Sequence, residues 1–399
     1  MIAIEHAART EVSATTLYAR GRDLLFRIAD DIKPPAEYQS PYIGQGSVLN
    51  AIVLCEAASL RGREEDLHAA AAHLRHGMAL LDEVPLSSSL YRGITGFGWA
   101  LQVFPMPELM PEREEILRDL DELLADGLEV TRNHNIDIIN GIAGVAVYAL
   151  ARGGAEPSSQ ALWQALDALI VRYCAQWTPG RHENAKHASN NLGLAHGIPG
   201  LLAVGAVAHA RGLLSAEAGE ALKNGFDAFW SVAREPEGRC WYPTYQSVPT
   251  RSRLAWCYGG LGIAAIFKLG IALDAANAAR FERVLASSIA QYESGDHGIR
   301  DASLCHGDAG VTLSLEYLAR GVGIDADLRR RLHLAATHAG ALALDAERSE
   351  LGVGAFLHST AQGMVHKMSF LEGGAGIALA ITSAYADAPR PWMQLIGYY

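Results

Sequence analysis

A glycine that opens an apolar run recurs seven times along the chain, at Gly46, Gly96, Gly144, Gly200, Gly262, Gly310 and Gly376. In six of the seven copies another glycine stands three positions earlier (Gly93, Gly141, Gly197, Gly259, Gly307, Gly373), whereas the first copy carries Ile43 there. The runs that follow, such as GVAVYALAR, GIAAIFKLGIAL and GIALAITSAYA, are apolar on nearly every face, which is the pattern of a buried helix. Between them lie stretches such as LYARGRDLLFRIADDI, PEREEILRDLDELLADGLEV and ARFERVLASSIAQYE, whose 3.6-residue periodicity gives helices with one wet side. No such unit, about fifty residues long, can bury its apolar helix alone. The alternation therefore reads as an all-α fold, an α/α toroid (barrel) of seven inner and seven outer helices forming a single domain over residues 1–399. A linear solenoid is the competing topology, but it needs polar capping units that the first and last copies do not supply.

Glycine at the head of each inner helix lets backbones converge and leaves N–H groups unpaired and aimed at one face, so the glycine loops should ring a single mouth. The longest gaps precede Gly262 and Gly376. The segments WYPTYQSVPTRSR and LGVGAFLHSTAQGMVHKMSF are therefore expected as long loops over that mouth, with short strands at most in the first.

Composition excludes several classes. Half the residues are hydrophobic and 19% are charged, enough for a large core and too little charge for a disordered tail. A net charge of -11 without a Lys/Arg cluster offers no footprint for nucleic acid. No window reaches eighteen uninterrupted apolar residues, so no transmembrane segment is expected. Glu5, Arg9 and Glu11 occupy the place where a signal peptide needs its apolar core, which puts the expected location in the cytoplasm. In that reducing compartment, five cysteines (Cys55, Cys174, Cys240, Cys257, Cys305) point to ligands or nucleophiles rather than disulfides.

Cys257, in SRLAWCYGG, and the pair Cys305 and His306, in DASLCHGDAG, stand just ahead of inner helices five and six. Neighbouring helices would bring them together, and Zn²⁺ takes thiolate and imidazole ligands, a Cys₂His set leaving a fourth tetrahedral position open. The alternative is that the two cysteines are small buried residues near helix ends. Cys55, Cys174 and Cys240 lack this context and read as structural. His196, in GLAHGIPG, has the equivalent position in copy four, and Asp137, in DIING, lies four residues before Gly141. Arg253 and Tyr258 flank Cys257. His196 reads equally as a core or capping histidine, Asp137 as an N-cap, and Arg253 and Tyr258 as rim residues.

Taken together, WCYG (256–259), CHG (305–307), AHGIPG (195–200) and the glycine-opened inner helices resemble the lanthionine synthetase C-like family, the cyclases that form thioether rings in lanthipeptides. The resemblance covers essentially the whole chain and implies a seven-fold α/α toroid with a central zinc. It implies Cys257, Cys305 and His306 as zinc ligands and places His196, Arg253, Asp137 and Tyr258 on positions thought to serve catalysis. The implied substrate is a dehydrated precursor peptide with its leader. The chain has no dehydration domain, so it resembles a stand-alone class I cyclase that works with a separate dehydratase and an exporter. The missing first glycine of copy one marks its loop as structural, and the gaps between early copies leave no room for the inserted domain some relatives carry.

A free thiol with a pKa of about 8.5 is a poor nucleophile at neutral pH, and a bound metal ion deprotonates it outright. Addition to a dehydroalanine or dehydrobutyrine then needs a proton carrier and a stabiliser for the developing enolate, work that suits His196, with Asp137 orienting it, and Arg253. Three other readings stay open: an enzyme that adds glutathione to dehydroamino acids, a non-catalytic scaffold, and a toroidal glycosidase. The scaffold needs none of these residues. The glycosidase needs paired carboxylates, which Asp137, Asp308 and Glu372 do not evidently provide.

Overall fold

A computed structural model of the chain describes residues 12–104, 109–131, 134–177, 179, 190–321 and 323–399. The amphipathic segments form the outer helices α1 (Ala14–Asp31), α3 (Glu64–Leu81), α5 (Arg113–Val130), α7 (Pro157–Gln176), α9 (Ala216–Trp230), α11 (Ala276–Glu293) and α13 (Ala326–Asp345). The glycine-opened segments form the inner helices α2 (Ser47–Arg61), α4 (Ile94–Val103), α6 (Ile142–Arg152), α8 (Ile198–Ala210), α10 (Gly260–Gly270), α12 (Asp308–Ala319) and α14 (Gly374–Ala384). Their burial separates the two sets. In α1 only Leu17, Gly21, Leu24, Leu25, Ile28 and Ala29 are buried, a single stripe, whereas α8 is buried without a break from Ile198 to Ala208. Each buried Leu, Ile or Phe contributes about 1.5–3 kcal/mol, so the inner ring carries most of the apolar stabilisation. Local signals start several outer helices: Ser13, Ser215 and Asp325 accept from the backbone N–H groups of Thr16, Ala218 and Leu328, and Pro157 opens α7.

Each inner helix packs on the inner helices of the units before and after it, and α14 packs on α1 and α2, so the units form a closed toroid. A circuit of backbone hydrogen bonds runs through the turns that precede the inner helices. The N–H of Gly44 donates to Tyr91 O (3.0 Å), Tyr91 to Ile139 (3.3 Å), Ile138 to Ala195 (3.2 Å) and Ala195 to Cys257 (3.4 Å). Cys257 donates to Cys305 (3.3 Å), Cys305 to Leu371 (2.9 Å), and Phe370 returns to Gly44 O (3.1 Å). Each unit thus meets the next through equivalent residues, and the seventh meets the first.

The glycine pairs serve this turn. The first glycine of each pair is the N-cap and the second lies in the first helical turn; in the first copy Gly46 is itself the N-cap, so it corresponds to the first glycines, and it is the second glycine that this copy lacks, with Leu49 in its place. A side chain at Gly310 would drive into the carbonyl of Leu304, six residues earlier in the same turn, and Gly259 sits at φ 102°, where side chains are strained.

The C-terminal segment fills the toroid axis. Residues Pro391–Ile396 form a 3₁₀ turn, and Trp392, Leu395, Ile396 and Tyr398 are buried. Their partners come from units around the ring: Trp99 Nε1 donates to Gln394 Oε1 (3.2 Å), Tyr91 OH to Leu395 O (2.9 Å) and Trp256 Nε1 to Ile396 O (2.8 Å). Tyr398 stacks on Tyr317 with ring centroids 4.3 Å apart.

The long loops differ from expectation in one respect. The segment WYPTYQSVPTRSR has no strand and is held by isolated bridges, Asn191 to Tyr245 and Arg234 to Trp241. The strands lie in the second loop instead, as an antiparallel hairpin of β1 (Leu357–Thr360) and β2 (Gly363–His366), which Gly363 opens at φ 119°. No described helix is long and apolar enough to cross a membrane. Residues 1–11, which carry the argument against a signal peptide, lie outside the described residues.

Candidate metal centre

Cys257 lies in the turn before α10, and Cys305 and His306 lie in the turn before α12. The collar bond from Cys257 N–H to Cys305 O holds the two turns side by side. The two sulfurs and one ring nitrogen of His306 lie within 4.8 Å of one another, the only such group of three His, Cys, Asp or Glu side chains found among the described residues. Cys257 is buried.

The donors fit a thiophilic ion. The Cys257 thiol is pushed well below its ordinary range by the hydrogen bond from Cys305, against its burial, with help from His306 and Arg253. Cys305, the donor of that pair, is pushed up. Burial works against the charge on His306, yet the neighbouring Asp301 carboxylate and the Cys257 thiol raise it to about 9. Nε2 of His306 faces Asp301 Oδ2 at 3.5 Å, while Nδ1 is buried without a hydrogen-bond partner. An orphaned ring nitrogen beside two thiols, with the opposite nitrogen on a carboxylate, is the arrangement of a metal-binding histidine and its supporting acid.

Asp301 is the residue the sequence reading missed. Its side chain is fully buried, with Oδ2 accepting from Ser359 N at 2.9 Å and Oδ1 from Ser303 N at 3.0 Å. Those bonds and His306 hold it well below the usual carboxylate range despite burial.

The remaining expected residues share the mouth. His196 Nδ1 donates to Asp137 Oδ2 at 3.4 Å, and Asp137 Oδ1 accepts from Asn140 N at 2.6 Å. This pair leaves Nε2 of His196 for another partner. The ring of Tyr258 is 5.7 Å from that of His196, and its hydroxyl accepts from Asn191 Nδ2 at 2.9 Å. Burial pushes the Tyr258 phenol up from its ordinary range, so it stays protonated. Arg253 is exposed and lines a cavity with His306. Glu372 pairs with His358 and Lys367 at 3.4 Å each. Cys55, Cys174 and Cys240 are buried elsewhere as free thiols, each pushed up to about 12 by burial.

A helical toroid whose mouth joins two thiols and a histidine defines a class, and comparison supplies it. The chain belongs to the lanthionine synthetase C-like proteins, whose family model matches residues 39–395. Among solved structures it is similar to nisin cyclase, with a TM-score of 0.66 over 96% of either chain at 18% sequence identity, a likeness of fold. A sequence search of curated proteins found no match.

Proposed function

We propose that the chain is a zinc-dependent lanthipeptide cyclase that adds peptide cysteines to dehydroalanine or dehydrobutyrine. The reading is supported most by the juxtaposition of the Cys257, Cys305 and His306 donors with the His196–Asp137 pair on one mouth of a lanthionine synthetase C-like fold. Cys257 Sγ, Cys305 Sγ and Nδ1 of His306 would hold the ion, and Asp301 would orient the imidazole. When bound there, zinc supplies acidity to a substrate thiol and keeps it as thiolate at neutral pH.

The chain's own residues do the rest. Asp137 fixes the His196 ring through Nδ1, so Nε2 accepts the proton that leaves the substrate cysteine. The carbon–sulfur bond forms at the β-carbon and the alkene's electron pair moves onto the α-carbon and its carbonyl. Arg253 faces that negative charge. His196 returns the proton to the α-carbon, so the product has the mass of the substrate. Tyr258, its hydroxyl tied to Asn191, packs beside His196 and sets its position over the mouth.

The substrate in this reading is a precursor peptide already dehydrated by a separate enzyme and later exported, and the single toroidal domain works in the cytoplasm. The experiment supplies dehydrated peptide and follows loss of free thiol. His196→Asn should keep its zinc and lose about 10²–10⁴ in rate, whereas Cys257→Ala should lose both. Wild-type cyclisation by His196→Asn would make the histidine structural, and loss of zinc from it would make it a ligand. Thiol loss only when an external thiol is added would replace ring formation with addition of that thiol.

A further inference from the structure

One cavity at the mouth carries charge opposite to that of the whole molecule. The chain has a formal net charge of -11, yet a cavity of about 510 Å³ opening beside His306 is lined by Arg251, Arg253 and Arg300. Arg251 is spoken for, with Asp296 Oδ2 at 2.6 Å. Arg253 and Arg300 have no ion-pair or hydrogen-bond partner for their guanidinium groups among the described residues, and both are exposed. The neighbouring carboxylate, Asp301, is fully buried beneath the mouth and committed to Ser303, Ser359 and His306. Asp296 therefore offsets one of three guanidinium charges, and of the remaining two Arg253 faces the reacting centre in the reading above, which leaves Arg300 as the charge for a second anion.

A surplus of arginine in a concave site is a device for anions. The planar fork matches a carboxylate with two parallel hydrogen bonds and keeps its charge at every working pH. Cavity walls of protein also weaken solvent screening relative to an open surface. Position fixes what the anion belongs to. His306 forms part of the cavity wall, so a group held there would lie next to a substrate thiol at the metal centre, within a few residues along a peptide.

We propose that this cavity is a carboxylate subsite that holds an acidic residue of the substrate beside its reacting cysteine. The inference rests on the peptide-thiol reading above and narrows it to peptides with a carboxylate near the cysteine.

The test measures binding of short acetylated, amidated peptides to the zinc-loaded protein by calorimetry. A peptide with Cys and a nearby Asp should bind about tenfold tighter than its Asn counterpart, the low end of what a hydrogen bond to a charged group is worth. That preference should shrink with rising ionic strength. In Arg300→Gln it should fall below about threefold, while the Asn peptide binds as before. A third peptide, the Asn form with a free C-terminus, reports whether a chain-terminal carboxylate serves in place of the side chain. Equal binding of the Asp and Asn peptides by the wild type, or a preference undiminished in Arg300→Gln and at high salt, overturns the proposal. Ser-for-Cys versions separate the two readings. A Ser/Asp peptide that outbinds Ser/Asn supports the subsite even where the thiol adds nothing, and only the thiol reading then fails.

Discussion

Asp301→Asn separates the metal centre from the fold beneath it. The carboxylate has two oxygens and three N–H groups to satisfy: Ser303 N at 3.0 Å on Oδ1, and Ser359 N at 2.9 Å with His306 Nε2 at 3.5 Å on Oδ2. An amide has one oxygen. Turned toward Ser303, it sets an NH₂ against the Ser359 N–H and the imidazole N–H; turned the other way, it sets that NH₂ against Ser303. Each orientation leaves a buried donor unmatched, at a cost of about 1–3 kcal/mol. The metal-free variant should therefore melt lower by roughly 2 kcal/mol of stability and remain folded. A larger functional effect follows from the ring. Without a carboxylate on Nε2, His306 loses the partner that fixes its tautomer and aims Nδ1 between the thiols, and losses of this kind weaken metal binding by about 10–100-fold. Competition for zinc against a chromophoric chelator reads the affinity, and thermal melts with and without metal read the fold. A folded Asp301→Asn protein with wild-type zinc affinity would refute the assignment of Asp301 as the positioning acid.

Other consequences are more local. Gly310→Ala puts a methyl group against the Leu304 carbonyl in the turn that carries Cys305 and His306; a loss of about 1–3 kcal/mol with weakened zinc binding is expected, and an unchanged melt would contradict the close approach. His73 is buried, and desolvation lowers it from 6.5 to about 4. The unfolded chain then binds the extra proton first, so stability should fall as pH drops from about 6.5 toward about 4, and His73→Leu should flatten that part of the melting-temperature profile. Trp392→Ala empties a fully buried position on the axis and removes the bond to Ser383, for a cost of about 3–5 kcal/mol in chemical denaturation.

The ring and its thiols were legible because both repeat. Glycine at the head of each unit announced the inner helices, although Gly46 was aligned one glycine out of register, and Cys257 and Cys305 could be aligned with each other before any contact was known. Asp301 was half legible. Asn135, Asn191 and Asp301 each stand six residues before the first glycine of their pair, and each side-chain oxygen accepts the N–H two residues on. Sequence alone reads that position as turn chemistry. What sets Asp301 apart is its reach to His306 and Ser359, and no periodicity encodes that. The axial segment was invisible for the same reason: Trp99 and Gln394 are 295 positions apart, and Tyr91 and Leu395 304. Short strands were expected at most in WYPTYQSVP, where Tyr, Thr and Val favour them, whereas the hairpin that forms lies in the second loop and depends on the backbone freedom of Gly363.

The backbone collar makes the spacing of the two thiols a property of the whole circumference. A hairpin loop sets the distance between its own ends, but a hoop of seven links has no free end to absorb an error. Lengthening any pre-glycine turn by one residue would strain all seven links together, and the gap between Cys257 and Cys305 would shift even if the insertion lay on the far side. The hoop thus acts as a gauge, cut to one diameter, and the two long loops leave and rejoin it without adding to its girth.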